Sequence, residues 1–285
     1  MTIKRVGVVG SGIMGAGVAE VGAKAGFEIV LRSRAQESAD TMIAALEKSL
    51  GRQVEKGKLE DAERTAVLGR VRTVTDLAEL ADCDLVLESI VEDLPTKQQL
   101  FQELDGICGD GTILATNTST LSVLEIAQST ERPEKVCGIH FFNPAPVMTV
   151  VEVVRATTSS DETIAAAREF AEACGKDVVD VRDQAGFIVN ALLFPYLNNA
   201  VKLLASGAAT RDDIDTAMKG GCNFPMGPLE LLDLVGLDTS LSIIEALHAA
   251  FGDANFEPAP MLGELVKAGK LGRKSGEGFY DYARK

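Results

Sequence analysis

Two side chains in this sequence have the types and the spacing for proton-transfer chemistry. His140 lies in "GIHFFNPAP", where an apolar segment runs into a proline-containing loop. The other histidine, His248, sits at helical spacing in "IIEALHAAF" and reads as a packing or surface residue. Twelve residues after His140, Glu152 stands among valines in "VVEVV". A carboxylate in so apolar a segment needs a partner if it is buried, and His140 is the economical choice. An imidazole backed by a carboxylate can shuttle a hydroxyl proton, as hydride-transfer chemistry requires. The carboxylate fixes the tautomer and stabilises the imidazolium. From spacing alone, a structural histidine competes evenly with this reading.

A second cluster points to a dinucleotide. "GSGIMG" places Gly10, Gly12 and Gly15 in a G-x-G-x-x-G pattern, after the apolar "KRVGVVG" and at the head of a helical stretch. In that context the glycines permit a tight turn and close approach to a pyrophosphate, and the helix N-terminus supplies free N–H donors. An acid normally follows at the end of the second strand to hold the adenosine ribose. Here "LRSRAQ" puts Ser33 at that place, followed by Arg34. Without a carboxylate a 2′-phosphate is not repelled, and a guanidinium can pair with it. This favours NADP(H) over NAD(H), unless the arginines are only solvated surface charges. Strand alternation turns Arg32 away from Ser33.

Polar groups occur at three further places. "ATNTSTLS" gathers Asn117, Thr118, Ser119 and Thr120 after an apolar run; they suit either a polar lip over a substrate carbonyl or a helix N-cap. Asn190 is a lone amide in the helical "GFIVNALL". Lys48, Arg52 and Lys56 repeat at i, i+4 and i+8, beside Ser49 and Lys58, so they share one helical face. That ridge suits a polyanion such as the phosphates of coenzyme A, or is simply a solvated face.

These groups need a scaffold, and the pattern supplies one. Short apolar runs at Lys4–Gly10, "FEIVLRS", Asp84–Ile90, Thr112–Asn117, Val136–Phe142, Met148–Val154 and Asp177–Val181 read as strands, with helices at 13–25 and 35–56. The alternation predicts an α/β fold with a doubly wound (Rossmann) parallel sheet. After about Arg182 the pattern becomes helical: 184–207, interrupted by Pro195 and closed by Gly207, then 210–220, 227–250 and 260–269. "NFPMGPLELLD" reads as a helix-entry loop. The predicted division is a dinucleotide-binding domain over 1–183 and a smaller all-helical substrate and dimerisation domain over 184–285.

Composition limits the function classes. A net charge of −14 argues against nucleic acid. No apolar run is long enough for a membrane span. The start "MTIKRVGVVGSG" lacks signal-peptide character, and Cys83, Cys108, Cys137, Cys174 and Cys222 have no paired spacing. The expectation is a cytoplasmic protein with reduced thiols, no disulfide framework and no metal site.

Taken in order along nearly the whole chain, "VGVVGSGIMGAGVAE", "NTST", "GIHFFNPAPVMTVVEVV", "GFIVNALLFPYLNNA", "DIDTAMKGGCNFPMGPLELLDLVGLDT" and "GRKSGEGFYDY" resemble the L-3-hydroxyacyl-CoA dehydrogenases, of the short 3-hydroxybutyryl-CoA type. The resemblance implies His140 as general acid/base, Glu152 as its partner, and Ser119 and Asn190 completing the catalytic set. It implies cofactor contacts at Gly10, Gly12, Ile13, Met14 and Gly15, at Glu92 and Lys97 in "SIVEDLPTK", and at Asn117, Ser119, Asn143 and Lys274. Ser49 and Lys56 match positions that bind the CoA portion. Ser33 departs from the pattern, since many NAD-using members carry aspartate there. The resemblance also implies an acyl-CoA substrate, fatty acid metabolism and a homodimer formed through the helical domain. A related hydroxy-acid dehydrogenase of the gulonate type, and a non-catalytic crystallin-like dinucleotide binder, are the alternatives. The basic ridge disfavours the first and the intact His140, Glu152, Ser119 and Asn190 set the second.

Overall fold

The computed structural model describes residues 2–283, which divide after Asp183 into two compact units.

The first unit is built on one eight-stranded sheet in the order β3-β2-β1-β4-β5-β6-β7-β8. The strands are β1 (Arg5–Val9), β2 (Glu28–Arg32), β3 (Val71–Val74), β4 (Leu85–Glu88), β5 (Ile113–Thr116), β6 (Val136–Phe141), β7 (Val150–Arg155) and β8 (Asp177–Arg182). The helices are α1 (Ile13–Lys24), α2 (Gln36–Glu55), α3 (Asp61–Gly69), α4 (Leu94–Ile107), α5 (Val123–Ala127) and α6 (Asp161–Ala173). β4, β5 and β6 are buried along their whole length, which explains why they read as apolar runs rather than alternating ones. Val6, Val8, Leu85, Leu87, Ile139, Phe141, Val151 and Phe170 share one core cluster. The strand order reverses between β1 and β4, and ligands of such sheets bind outside the strand ends at that switch point.

The all-parallel expectation needs one correction. β1 to β6 are parallel, but β7 runs antiparallel to β6 and carries β8 parallel to itself. Residues 142–149 between β6 and β7 hold no helix. A parallel return requires a crossover of a dozen or more residues, so so short a link must reverse the chain. The short edge strand β3 and helix α3 were not expected. Only Val74 of β3 is buried, so its four residues carry little apolar signal.

The second unit contains α7 (Val189–Ala205), α8 (Arg211–Gly221), α9 (Pro228–Val235), α10 (Leu237–Phe251) and α11 (Pro260–Lys267). Phe194, Leu197, Val201, Leu229, Leu232, Leu237, Ile244 and Leu247 form its core. Pro195 lies inside α7. The helix expected over 227–250 is two helices bent by 101°, because Gly236 between them takes φ 103°, a conformation that breaks a helix and favours glycine. Asp233, buried in α9, accepts from the Phe279 and Tyr280 N–H groups and from the Tyr282 hydroxyl. One carboxylate thereby ties the C-terminal segment to the helices. Among the described residues no single helix is long and apolar enough to cross a membrane.

Candidate active site

His140 and Glu152 are direct register partners across β6 and β7. Both are buried. His140 Nδ1 lies 2.6 Å from Glu152 Oε2, and Nε2 lies 3.1 Å from Ser119 Oγ. An ionised carboxylate can only accept, so Nδ1 carries the proton toward Glu152 and Nε2 offers its lone pair on the Ser119 side. The Phe142 ring packs 4.5 Å from the imidazole, centroid to centroid. The result is a histidine oriented by a buried carboxylate, with its outer nitrogen beside a hydroxyl. That arrangement suits general acid/base catalysis at a substrate oxygen.

Ser119 belongs to the turn after β5, and a chain of polar contacts shapes that turn. Glu92 Oε1 accepts from the Thr118 hydroxyl at 2.6 Å and from the N–H groups of Ser119 and Thr120 at 2.8 and 3.1 Å. Burial opposes the charge on Glu92, but Lys97 and these hydrogen bonds outweigh it and hold the carboxyl below its usual range. The Lys97 ammonium contacts both Glu92 and Glu88. Lys97, expected as a cofactor contact, is only 1% exposed. Its ammonium lies between two carboxylates, as a buried cation must. Glu88 was not singled out from the sequence. Yet it closes the apolar "LVLE", and the argument that found Glu152 applies to it equally.

The N-cap alternative for "NTSTLS" is also met in part. Ser122 caps α5 through the Glu125 N–H, and Thr118 Oγ1 accepts from the Leu121 N–H. Asn117, expected at the cofactor, uses its amide within the sheet. Oδ1 accepts from the Phe141 N–H at 2.7 Å, and Nδ2 donates to Ser89 Oγ at 2.9 Å.

The glycine loop fits a dinucleotide pyrophosphate. A Cβ on Gly10 would lie 2.3 Å from the Ser89 oxygen, and one on Gly15 would lie 2.1 Å from the Gly10 oxygen, so the chain itself forbids side chains there. Gly12 has open space instead, where a ligand can approach the backbone. The first turn of α1 has no acidic residue and no side-chain cap, which leaves the N–H groups of Ile13, Met14 and Gly15 for an anion. Ile13 is exposed and Met14 half-buried.

At the end of β2 the structure amends one expectation. Ser33 is buried, and its hydroxyl is enclosed with no hydrogen-bond partner among the described residues. A direct bond from that hydroxyl to a ribose does not fit this placement. Arg34 is exposed. Arg32 is half-buried, donates to the Thr75 carbonyl at 3.2 Å, and is easier to deprotonate than usual through burial and then through the charge of Arg34. Alternation puts positions i and i+2 on one side, so the influence of the Arg34 charge on Arg32 agrees with it.

The remaining expected contacts lie on separate elements of the two units. Lys48 and Arg52 are exposed on α2, and Lys56 is its C-cap. Ser49, expected at coenzyme A, instead donates to Glu20 Oε2 at 2.8 Å. Buried Glu20 on α1 draws in Ser49, Gln53 and Lys24 because its charge needs partners. Asn143 is exposed beyond β6. In the second unit, Asn190 is buried near the start of α7, and Lys274 donates to Asp238 at 2.7 Å.

Residues 5–184 match the 3-hydroxyacyl-CoA dehydrogenase NAD binding domain, and residues 186–282 match the 3-hydroxyacyl-CoA dehydrogenase C-terminal domain. The chain belongs to the 3-hydroxyacyl-CoA dehydrogenase family. Among its relatives in that family, a probable 3-hydroxybutyryl-CoA dehydrogenase of Deinococcus radiodurans is 48% identical, over 98% of this chain and 100% of that protein. The human mitochondrial hydroxyacyl-coenzyme A dehydrogenase is 43% identical, over 98% of this chain and 91% of that protein. The crystal structure of (S)-3-hydroxybutyryl-CoA dehydrogenase from Ralstonia eutropha superimposes with a TM-score of 0.96 at 39% identity, covering 99% of each chain.

Proposed function

We propose that this enzyme interconverts L-3-hydroxyacyl-CoA and 3-oxoacyl-CoA, with 3-hydroxybutyryl-CoA as a substrate, using a nicotinamide dinucleotide. The observation that carries the reading is the His140–Glu152 register pair with Ser119 at the outer imidazole nitrogen. In oxidation, His140 Nε2 takes the proton of the 3-hydroxyl, and Glu152 stabilises the imidazolium so formed. A dinucleotide held at the glycine loop would supply the hydride acceptor for C3 in oxidation and the hydride donor in reduction. In reduction, protonated His140 delivers its proton to the developing alkoxide, and the Ser119 hydroxyl donates a hydrogen bond there, support of a kind that can lower a barrier by about 3 kcal/mol. Gly12 and the first turn of α1 would hold the pyrophosphate. Asn190 as a substrate contact, and Asn143 and Lys274 as cofactor contacts, rest on the family resemblance rather than on their placement.

Three finer points belong to the same reading. The cofactor is preferentially NADP(H): Ser33 brings no carboxylate, and Arg32 and Arg34 concentrate positive charge at the end of β2. The CoA phosphates are drawn to Lys48, Arg52 and Lys56, which make no ion pair among the described residues. The second unit leaves Leu192, Leu203, Phe224 and Phe251 exposed, which supports a homodimer through that unit. The cytoplasm is the proposed location, consistent with five free cysteines.

The deciding experiment is steady-state turnover of acetoacetyl-CoA with NADH and with NADPH, followed by loss of nicotinamide absorbance. Turnover on the thioester but not on free acetoacetate supports the proposal. A protein that binds dinucleotide yet turns over neither overturns it.

A further inference from the structure

We propose that Glu88 is a positioning residue for Ser119, acting from the floor of the site without touching substrate or cofactor. Glu88 is fully buried at the end of β4, opposite Thr116 on β5. Each of its oxygens is committed. Oε1 accepts from the Ile90 N–H at 2.6 Å and from the Lys97 ammonium. Oε2 accepts from the Thr116 hydroxyl at 2.7 Å. One carboxylate thus joins the chain leaving β4, helix α4 and the end of β5.

Two routes lead from Glu88 to Ser119. In the first, Thr116 Oγ1 donates to Glu88 and accepts from the Thr118 N–H at 3.2 Å. In the second, Lys97 lies between Glu88 and Glu92, and Glu92 accepts directly from the Ser119 N–H. Both routes converge on the backbone on either side of Ser119, whose hydroxyl lies 3.1 Å from His140 Nε2. A sheet interior has no need of two charges here, and an apolar pair of similar volume is often equally stable or more so. What the charges add is direction. The Thr116 and Lys97 donors are aimed by a fixed acceptor, and together they define where the turn after β5 sits. Fixing a catalytic group within a few tenths of an ångström requires this kind of support on rigid elements.

This role rests on the proposed dehydrogenase activity, so the test separates the two. Wild-type turnover of acetoacetyl-CoA, and its reduction in Ser119→Ala, test the activity and the use of Ser119. A double-mutant cycle between Glu88→Gln and Ser119→Ala then tests Glu88. Glu88→Gln alone should lower kcat by about tenfold, with KM for the dinucleotide changed by less than about threefold. In the Ser119→Ala background the same change should alter kcat by less than about twofold, because the group it positions is gone. A general structural role would multiply the two losses, and that result overturns the proposal, as does wild-type kcat in Glu88→Gln or in Ser119→Ala. If Glu88→Gln does not fold, Thr116→Val takes its place in the cycle, since it removes one route and preserves shape. Non-additive losses with Ser119→Ala are again expected, and multiplied losses again overturn the role.

Discussion

His140 and Glu152 face each other across an antiparallel strand pair, with imidazole Nδ1 2.6 Å from the carboxylate. Directly opposed residues in such a pair hold their Cβ atoms about 5 Å apart. The contact is therefore a property of two hydrogen-bonded strands, not of a mobile loop. The imidazole is oriented before any ligand arrives, which is the condition for efficient proton transfer.

From this follows the first prediction. His140→Gln should lower kcat by on the order of 10²–10⁴, with a smaller change in dinucleotide affinity. Glu152→Gln keeps the shape but removes the charge that stabilises the imidazolium, so it too should lose turnover, by about 10-fold or more. Stopped-flow or steady-state assays with acetoacetyl-CoA measure both. Near-normal kcat in the His140 variant would end the proton-relay assignment.

The same pair shows what could be read from the chain. His140 and Glu152 were found because each was chemically conspicuous, an imidazole at a strand end and a carboxylate among valines. Their strands were located to within two residues. Their antiparallel relation was not, although the short helix-free link at 142–149 contained it. Glu88 escaped although it lay inside the expected strand Asp84–Ile90, because its partners Lys97 and Thr116 lie 9 and 28 residues away. The commitments of Ser49 to Glu20 and of Asn117 to Phe141 and Ser89 were also hidden. Those partners are separated by 24 to 29 residues, and only the folded topology brings them together. Helix periodicity likewise could not show that Gly236 divides 227–250, since both halves are apolar on one face.

The basic ridge leads to a prediction about substrate. Replacing Lys48, Arg52 and Lys56 together by glutamine should raise KM for acetoacetyl-CoA and spare a truncated thioester that lacks the nucleotide. Wild-type KM for the full substrate should also rise with salt, because exposed charges are screened over about 10 Å at 0.1 M ionic strength. Equal KM changes for the two substrates would make the ridge a solvated helix face.

A pH prediction comes from Glu20. Burial alone would raise its carboxyl pKa, but bonds from Lys24, Gln53 and Ser49 outweigh this and lower it below the usual value. A carboxylate with a depressed folded pKa contributes stability above its unfolded pKa and loses it as pH falls through the folded value. The α1–α2 contact should thus hold at neutral pH and weaken below about 4.3, the ordinary glutamate range. Ser49→Ala removes one of the bonds that favour the charged form. It should cost about 1–2 kcal/mol at pH 7, with a smaller penalty at acid pH. Thermal melts of both proteins from pH 7 down to the acid range check the sign. A penalty that grows on acidification would show that Ser49 does not stabilise the Glu20 charge.

The final prediction concerns the end of β2. The enzyme should accept NADPH readily and prefer it to NADH. Where a carboxylate would repel a 2′-phosphate and accept from both ribose hydroxyls, Ser33 does neither, and its enclosed hydroxyl adds no bond of its own. Arg34 is exposed and its charge disfavours that of Arg32, so a dianionic phosphate near them relieves mutual repulsion as well as gaining charge-assisted bonds. One such bond is worth roughly 1.5–3 kcal/mol when well formed, or about one to two decades in affinity. Arg34→Ala should therefore weaken NADPH selectively and leave NADH nearly unchanged. Ser33→Asp should swing the ratio of kcat/KM values toward NADH, although a carboxylate in so enclosed a place must first turn outward, which will cost some stability. Arg32 is tied to the Thr75 carbonyl, so Arg32→Ala should have the smaller effect on preference. A wild type that strongly favours NADH, with a ratio that none of these changes moves, would mean that the two arginines serve only the surface.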